Sequence, residues 1–199
     1  MTSVARWVEV HRLAVAGREA GIARDAGGRV GWVWLARSRF ADVARLAELT
    51  LTLGEDAGAF YQLGWAKDST GDRSAALAAY DQALRLYRAA GDGNNEAATL
   101  NNIGAVYRGL GDPQRALEYY RQALPIRREV GDRAGEAVTR YNVAMIHRAQ
   151  GEPARAVAEL EQVVELDRQV GHPDLQSDTE MLHRVRQELA GPDPGRGSR

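Results

Sequence analysis

The fold is decided by a stretch in which a forty-residue segment occurs twice. Residues 71–110 read GDRSAALAAYDQALRLYRAAGDGNNEAATLNNIGAVYRGL, and residues 111–150 read GDPQRALEYYRQALPIRREVGDRAGEAVTRYNVAMIHRAQ. Aligned without a gap, the two segments share sixteen identical residues in forty. Self-similarity at a fixed period of this size indicates a repeat architecture, in which each unit buries its apolar face against its neighbours.

Glycine-aspartate pairs divide each segment into two helices and two turns. They begin at Gly71, Gly91, Gly111 and Gly131. The glycine suits the left-handed residue that follows a helix, and the aspartate offers oxygens to cap the next helix. Prolines at 113 and 153 stand where the first helical turn needs no N–H. The spacing predicts helices over residues 57–70, 73–90, 96–110, 113–130, 136–150 and 153–170.

Apolar and small residues recur at steps of three and four within these predicted helices. Such spacing places them on one face of a helix, and small residues there allow two helices to approach closely. On the helix over 96–110 and on the next helix, this face is formed by Leu100, Ile103, Gly104, Tyr107, Ala116, Tyr120 and Ala123.

This pattern resembles the tetratricopeptide repeat (TPR). Residues 57–90 carry it clearly and residues 137–170 more weakly. The usual unit has about 34 residues, whereas the longer unit, with the runs over 100–108 and 123–132, is similar to TPR arrays of bacterial signalling and regulatory proteins. The resemblance implies an all-α fold, a right-handed α-solenoid of antiparallel helix pairs. It also implies a protein that holds a partner and is not an enzyme.

The ends of the chain follow the repeat pattern less closely. Glycines make residues 21–31 loop-like, and residues 191–199 are too rich in glycine and proline to order. The predicted segments are N-terminal helices that could form a degenerate repeat (1–37), a TPR-like solenoid (38–190) with clear repeats (57–170) and a capping helix (about 174–190), and a disordered tail (191–199).

Composition excludes several classes of function. The net charge of −1 provides no basic field for nucleic acid or anionic lipid. Cysteine is absent, which excludes disulfide scaffolds, thiol nucleophiles and cysteine-ligated zinc. Lys67 is the only lysine and is flanked by Ala66 and Asp68, so the chain contains no Walker phosphate-binding loop. No apolar run approaches the roughly 18 residues that span a bilayer. We therefore expect a cytoplasmic protein without membrane or nucleic-acid partners.

Metal and cofactor sites are not indicated either. The four histidines form no zinc signature. Glu180-x-x-His183 has the spacing of a di-iron motif but lacks the second copy that such a site needs. We expect no catalytic residue, no metal and no cofactor.

The resemblance implies that the first helix of each repeat lines a concave surface. On these helices the face opposite the apolar one carries amides, aromatic rings and arginines at equivalent repeat positions. Amides both donate to and accept from an extended peptide, and arginines suit a carboxylate or acidic side chain. The predicted partner-binding residues are Tyr61, Gln62, Trp65, Asn101, Asn102, Arg108, Tyr141, Asn142, Met145 and Arg148.

Structural explanations compete with this hypothesis. The amides could bond neighbouring helix ends, the arginines could be solvated charges paired with carboxylates, and Trp65 could pack on the preceding repeat. For the whole chain, a scaffold for a partner peptide or protein is the leading hypothesis. One alternative is a sensor module that regulates a signalling ATPase or transcription factor, for instance by binding a signal peptide. Another is homo-oligomerisation through exposed solenoid ends.

Overall fold

Residues 3–190, which the computed structural model describes, form ten α-helices and no β-strand. The predicted disordered tail, residues 191–199, lies outside the described residues. The helices are α1 (Ser3–Ala16), α2 (Ala20–Leu35), α3 (Phe40–Leu51), α4 (Ala57–Ser69), α5 (Arg73–Ala90), α6 (Gly93–Gly109), α7 (Pro113–Glu129), α8 (Arg133–Ala149), α9 (Pro153–Val170) and α10 (Leu175–Ala190).

The chain divides into two units, the first ending at Leu110 and the second beginning at Gly111. In the first unit, consecutive helices from α1 to α6 pack against one another, and α4 also contacts α2 and α6. In the second unit, α7 to α10 pack in sequence order. Short turns between consecutive helices give antiparallel neighbours. The predicted all-α architecture of antiparallel helix pairs is confirmed.

Aspartate caps set where the helices begin. Asp72, Asp92, Asp112 and Asp132 each accept a hydrogen bond from the backbone N–H three residues further on. The glycine before each aspartate has a positive φ, between 67° and 87°. Because the cap directly precedes the helix, α6 and α8 begin at residues 93 and 133. Our predicted starts at 96 and 136 were therefore too late.

One ion pair recurs with the period of the repeat. The Nε of Arg88 donates to Oε1 of Glu96 at 2.8 Å, and the same atoms of Arg128 and Glu136 lie 2.8 Å apart. Each pair joins the end of one helix to the first turn of the next, and both glutamates are largely buried. The arginine and the glutamate of this ion pair are among the residues that are identical in the segments 71–110 and 111–150.

The predicted loop over residues 21–31 is wrong, because these residues lie within α2. The prediction rested on glycine content, since glycine costs about 1 kcal/mol in a helix relative to alanine. Packing outweighs that cost. A Cβ added at Gly31 would lie 2.1 Å from the Gln62 Oε1, and one at Gly27 would lie 2.9 Å from the Thr50 Oγ1. These glycines allow neighbouring helices to approach α2 closely.

Each unit has an apolar core. In the first unit, residues of α2, α3 and α4 meet around Val30, Trp34 and Val43. In the second unit, residues of α8, α9 and α10 meet around Ala144, Leu160 and Val185. Two of the predicted binding residues, Tyr141 and Met145, pack against the second of these cores.

Candidate partner-binding site

Helix α4 carries three of the predicted binding residues, and two of them are buried. Gln62 is 3% exposed, and its Nε2 donates to the backbone oxygen of Gly28 at 3.0 Å. Tyr61 is also buried. The amide of Gln62 therefore joins α4 to the middle of α2 and not to a helix end. Trp65 remains partly exposed, so it is the residue of α4 that a ligand could reach.

An aromatic patch lies on α2 and α4, formed by Trp32, Tyr61 and Trp65. The ring centroids of Trp32 and Trp65 are 5.7 Å apart and their planes are nearly perpendicular. Tyr61 lies 5.9 Å from Trp32 and 6.3 Å from Trp65. Trp32 is 50% exposed and Trp65 is 36% exposed. Sequence reasoning missed Trp32 because its helix was expected to be irregular. The buried positions of α2 at 23, 26, 27, 30, 31 and 34 have helical steps that could have revealed it.

Helix α6 places its predicted residues in three different environments. Asn101 is buried at the edge of the core. Asn102 is partly buried, and its Nδ2 donates to the Tyr61 hydroxyl at 2.9 Å. Arg108 is exposed near the end of the helix. The amide of Asn102 thus positions a ring of the aromatic patch.

Helix α8 carries four predicted residues of the second unit. Tyr141 and Met145 pack against the core, and Asn142 is partly exposed. Arg148 is held by a carboxylate of α10, since its Nε and one terminal nitrogen bond Glu188 at 2.9 Å and 2.5 Å. Hydrogen bonding to Arg148 lowers the pKa of the Glu188 carboxyl. The Arg148 guanidinium is therefore already paired within the chain.

An acidic cleft of about 380 Å³ lies beside Tyr141 and Asn142 in the second unit. Carboxyl groups come from α9, from the turn after it and from α10. The lining residues are Ala137, Val138, Tyr141, Asn142, Asp167, His172, Asp174, Ser177 and Asp178.

Two carboxyl groups in this cleft are close neighbours. Burial, a hydrogen bond with Asp167 and the charges of Asp167 and Asp174 together raise the pKa of Asp178 to about 6. Asp167 is 1% exposed. Sequence reasoning missed both residues. The signal was available, because Asp167 continues the buried stripe of Leu160, Val163 and Val164 on α9.

The described chain shows neither a metal-binding arrangement nor a membrane-spanning helix. Within residues 3–190, no group of three or more histidine, aspartate or glutamate side chains is placed to hold a metal ion. No helix in that range is both long enough and apolar enough to cross a bilayer.

These features define a class of protein, a helical-hairpin repeat with aromatic and acidic surfaces on its helices. Two family models, both described as tetratricopeptide repeat, match residues 95–169 and residues 57–89, together more than half of the chain. The chain belongs to the tetratricopeptide repeat family, whose fold is generally a non-catalytic protein-interaction module. Comparison with curated proteins finds no significant sequence match.

Solved structures with similar folds share little sequence with the chain. BtubC (BKLC) from P. vanneervenii has a TM-score of 0.66 at 16% identity, over 100% of this chain and 98% of that chain. MamA has a TM-score of 0.62 at 17% identity, over 86% of this chain and 98% of that chain. A Rap protein complexed with competence and sporulation factor has a TM-score of 0.69 at 13% identity, over 83% of this chain. The match spans 50% of that Rap chain. At such identities the likeness establishes the fold alone.

Proposed function

We propose that the chain is a scaffold that binds a partner protein or peptide through the aromatic patch of Trp32, Tyr61 and Trp65. One observation carries this proposal: two tryptophans on neighbouring helices are exposed side by side. Tryptophan and tyrosine are enriched at protein interfaces, where their rings bury a large area at low entropic cost. Membership of an interaction family supports the same conclusion.

The geometry of the patch favours an apolar or aromatic side chain on an extended segment of the partner. The Trp32 and Trp65 planes meet edge to face, so a ring or proline of the partner can pack against either. The Tyr61 ring packs against both tryptophan rings, and its hydroxyl accepts a hydrogen bond from the Asn102 amide. Because the supporting ring is fixed, the tryptophans need little reordering when a ligand binds.

Recognition of an acidic partner by the arginines remains a further proposal. Arg148 already has a carboxylate partner in Glu188. A ligand carboxylate at this position would have to displace Glu188, with little net gain for an exposed pair. The aromatic patch therefore ranks above the arginines as the primary contact.

The proposal is tested with a Trp32→Ala/Trp65→Ala double variant. A photoreactive amino acid at Ser69, an exposed position one turn beyond Trp65, first captures the partner in the source cell with both tryptophans in place. The purified partner is then titrated against each form of the chain by calorimetry. We expect the double variant to bind about tenfold or more weakly, as is typical when buried aromatic anchors are truncated.

The matched control is Leu13→Ala/Ile22→Ala, which removes two exposed apolar side chains of α1 and α2 outside the patch. Its affinity should stay within about twofold of wild type, and the circular dichroism of both double variants should be unchanged. Equal losses in the two double variants, or full affinity in the tryptophan variant, would contradict the proposal.

Regulation of another protein is the second candidate. It is favoured by the fold likeness to a Rap protein complexed with competence and sporulation factor, although this chain spans only half of that protein. If the captured partner is an ATPase or a DNA-binding protein, a regulator should change its turnover or its DNA affinity. A partner that is bound without any change in activity would favour a passive scaffold.

A homo-oligomer is the outcome in which the captured partner is a second copy of the chain. In that case light scattering would show a mass that rises with concentration, and the Trp32→Ala/Trp65→Ala variant would lower it.

A further inference from the structure

The acidic cleft contains a buried carboxylate oxygen that lacks a hydrogen-bond donor. Asp167 is almost fully buried, and its Oδ2 has no donor. The Asp178 carboxyl lies within hydrogen-bonding reach of the Asp167 carboxyl. Two ionised carboxylates can only accept, so the pair is stabilised either by sharing a proton or by a donor from outside, and a positively charged donor forms the strongest bonds.

Of the other titratable groups that face this pair, Asp174 adds a carboxylate and His172 is the one base among the described lining residues. The Asp174 carboxylate lies 3.8 Å from the His172 Nδ1, which in turn lies 3.9 Å from the Asp167 Oδ1. The same Nδ1 accepts a hydrogen bond from the backbone N–H of Asp174 at 3.2 Å. From α8 the cleft receives only uncharged side chains, and its described lining contains neither lysine nor arginine. An organic cation is therefore the ligand that this charge distribution attracts.

We infer that the acidic cleft binds the guanidinium group of an arginine side chain from the partner peptide. This inference rests on the proposed function and names a second subsite for the same class of partner. The planar fork of a guanidinium carries several N–H donors, so it can bind the accessible carboxylates of Asp178 and Asp174, and its positive charge also stabilises the buried Asp167 carboxylate.

The cleft also matches the remainder of an arginine side chain. Val138 is 47% exposed and lines the cleft, where it offers apolar surface for the aliphatic stem. The Tyr141 ring lines the same cleft and can contribute a cation–π contact. A metal ion fits less well, because the described side chains do not converge on one point with three ligands.

Binding should depend on the ionisation of Asp178. Its pKa is about 6 in the free protein, raised by burial and by Asp167 and Asp174, with His172 acting in the opposite direction. Below this value the carboxyl carries the proton that satisfies Asp167. Above it Asp178 is ionised and adds a negative charge to the cleft, so a cation is bound more tightly.

The experiment uses the full chain labelled with nitrogen-15, with N-acetyl-arginine amide as the probe. The isosteric N-acetyl-citrulline amide serves as the uncharged control. At pH 7.5 we expect the arginine probe to shift the backbone signals of residues 138–142 and 174–178, with a dissociation constant on the order of millimolar. At pH 5 the affinity should be roughly five- to tenfold lower, because most of the Asp178 carboxyl is protonated there.

Two charge-removing variants test whether Asp178 binds the arginine probe. Asp178→Asn should weaken binding of the arginine probe at least about fivefold at pH 7.5 and remove its pH dependence. Glu129→Gln removes the same charge from an exposed position on α7 and should leave the affinity unchanged. If the Asp178 variant misfolds, the wild-type comparisons of arginine with citrulline and of two pH values still decide the matter.

Several results would overturn the inference. Equal shifts with the citrulline probe would show that no charge is recognised. Stronger binding of N-acetyl-lysine amide, or the same shifts with calcium or magnesium ions alone, would replace the guanidinium with another cation. If the arginine probe shifted none of these backbone signals, the inference that the cleft binds a guanidinium group would be wrong. None of these outcomes bears on the aromatic patch, which lies in the first unit and is tested with the whole partner.

Discussion

Helices α4 and α8 carry side chains at equivalent repeat positions, yet the two helices use them differently. On α4, Gln62 and Tyr61 are buried by contacts with α2 and with the rings around them. On α8, the matching Asn142 and Tyr141 are partly exposed and line the acidic cleft. Repeat position therefore determines which way a side chain points, whereas the neighbouring helix determines whether that side chain is available to a ligand.

The largest expected effect is the loss of stability when Tyr61 is truncated, compared with truncation of its repeat counterpart Tyr141. Tyr61→Ala should lower the free energy of unfolding by about 3 kcal/mol, because it opens a cavity beneath Trp32, Trp65 and Tyr80. Tyr141→Ala should cost no more than about half as much, since part of its ring already faces water. Urea denaturation followed by circular dichroism measures both values.

Tyr61→Phe is the control for this comparison. It retains the ring and loses only the hydrogen bond from Asn102, so it should cost about 1 kcal/mol. If the two alanine variants lost equal stability, the contrast between α4 and α8 would be false.

A smaller loss of stability tests the close packing of α2 against α4. Gly31→Ala should cost about 2 kcal/mol, because the new methyl group would collide with the Gln62 amide. Gly21→Ala lies on the same helix with nothing within 4 Å. It should be neutral or stabilise the protein by up to about 1 kcal/mol through helix propensity. Thermal unfolding of the two variants separates packing from propensity, and a stabilising Gly31→Ala would remove close packing as the reason for this glycine.

The smallest effect concerns the partly exposed acidic cleft beside α8, and its size depends on pH. Asp178 has a higher pKa in the folded chain than in the unfolded chain, so its protonated form stabilises the fold at low pH. That contribution is lost as the pH rises through about 6. The amide introduced by Asp178→Asn can donate to Asp167 at any pH.

The variant should therefore be more stable than wild type at pH 8 by about 1 kcal/mol, after discounting for solvent screening. A chain of this size would then unfold about 2–4 °C higher. At pH 5 the advantage should be small. Calorimetric scans at both pH values check this, with Glu129→Gln as the control, and a gain of equal size at pH 5 would contradict the assigned cause.

Sequence reasoning worked best where turn chemistry and period agreed. The glycines of the turns placed four of the six predicted helix ends one residue too late and the other two, at 90 and 170, without error. Reasoning from glycine content failed at α2, where glycines 27 and 31 serve close packing rather than a loop. The sequence prediction also missed Asp167, because a carboxylate within the apolar stripe of α9 was not recognised as part of a site. Both errors concern contacts between different helices, which the spacing of residues within one helix does not show.

The sequence by itself determined the helical repeat, its period, its caps and its apolar faces, because these depend on residues within one or two turns of each other. It also singled out Trp65, Tyr141 and Asn142, which are at least partly exposed in the structure. Only the tertiary structure decided that Gln62 is buried beneath α2, that Arg148 is paired with Glu188, and that Asp167 meets Asp178. Exposure, pairing and pKa depend on which helices pack together, and the side chains concerned lie between 11 and 40 positions apart in the chain.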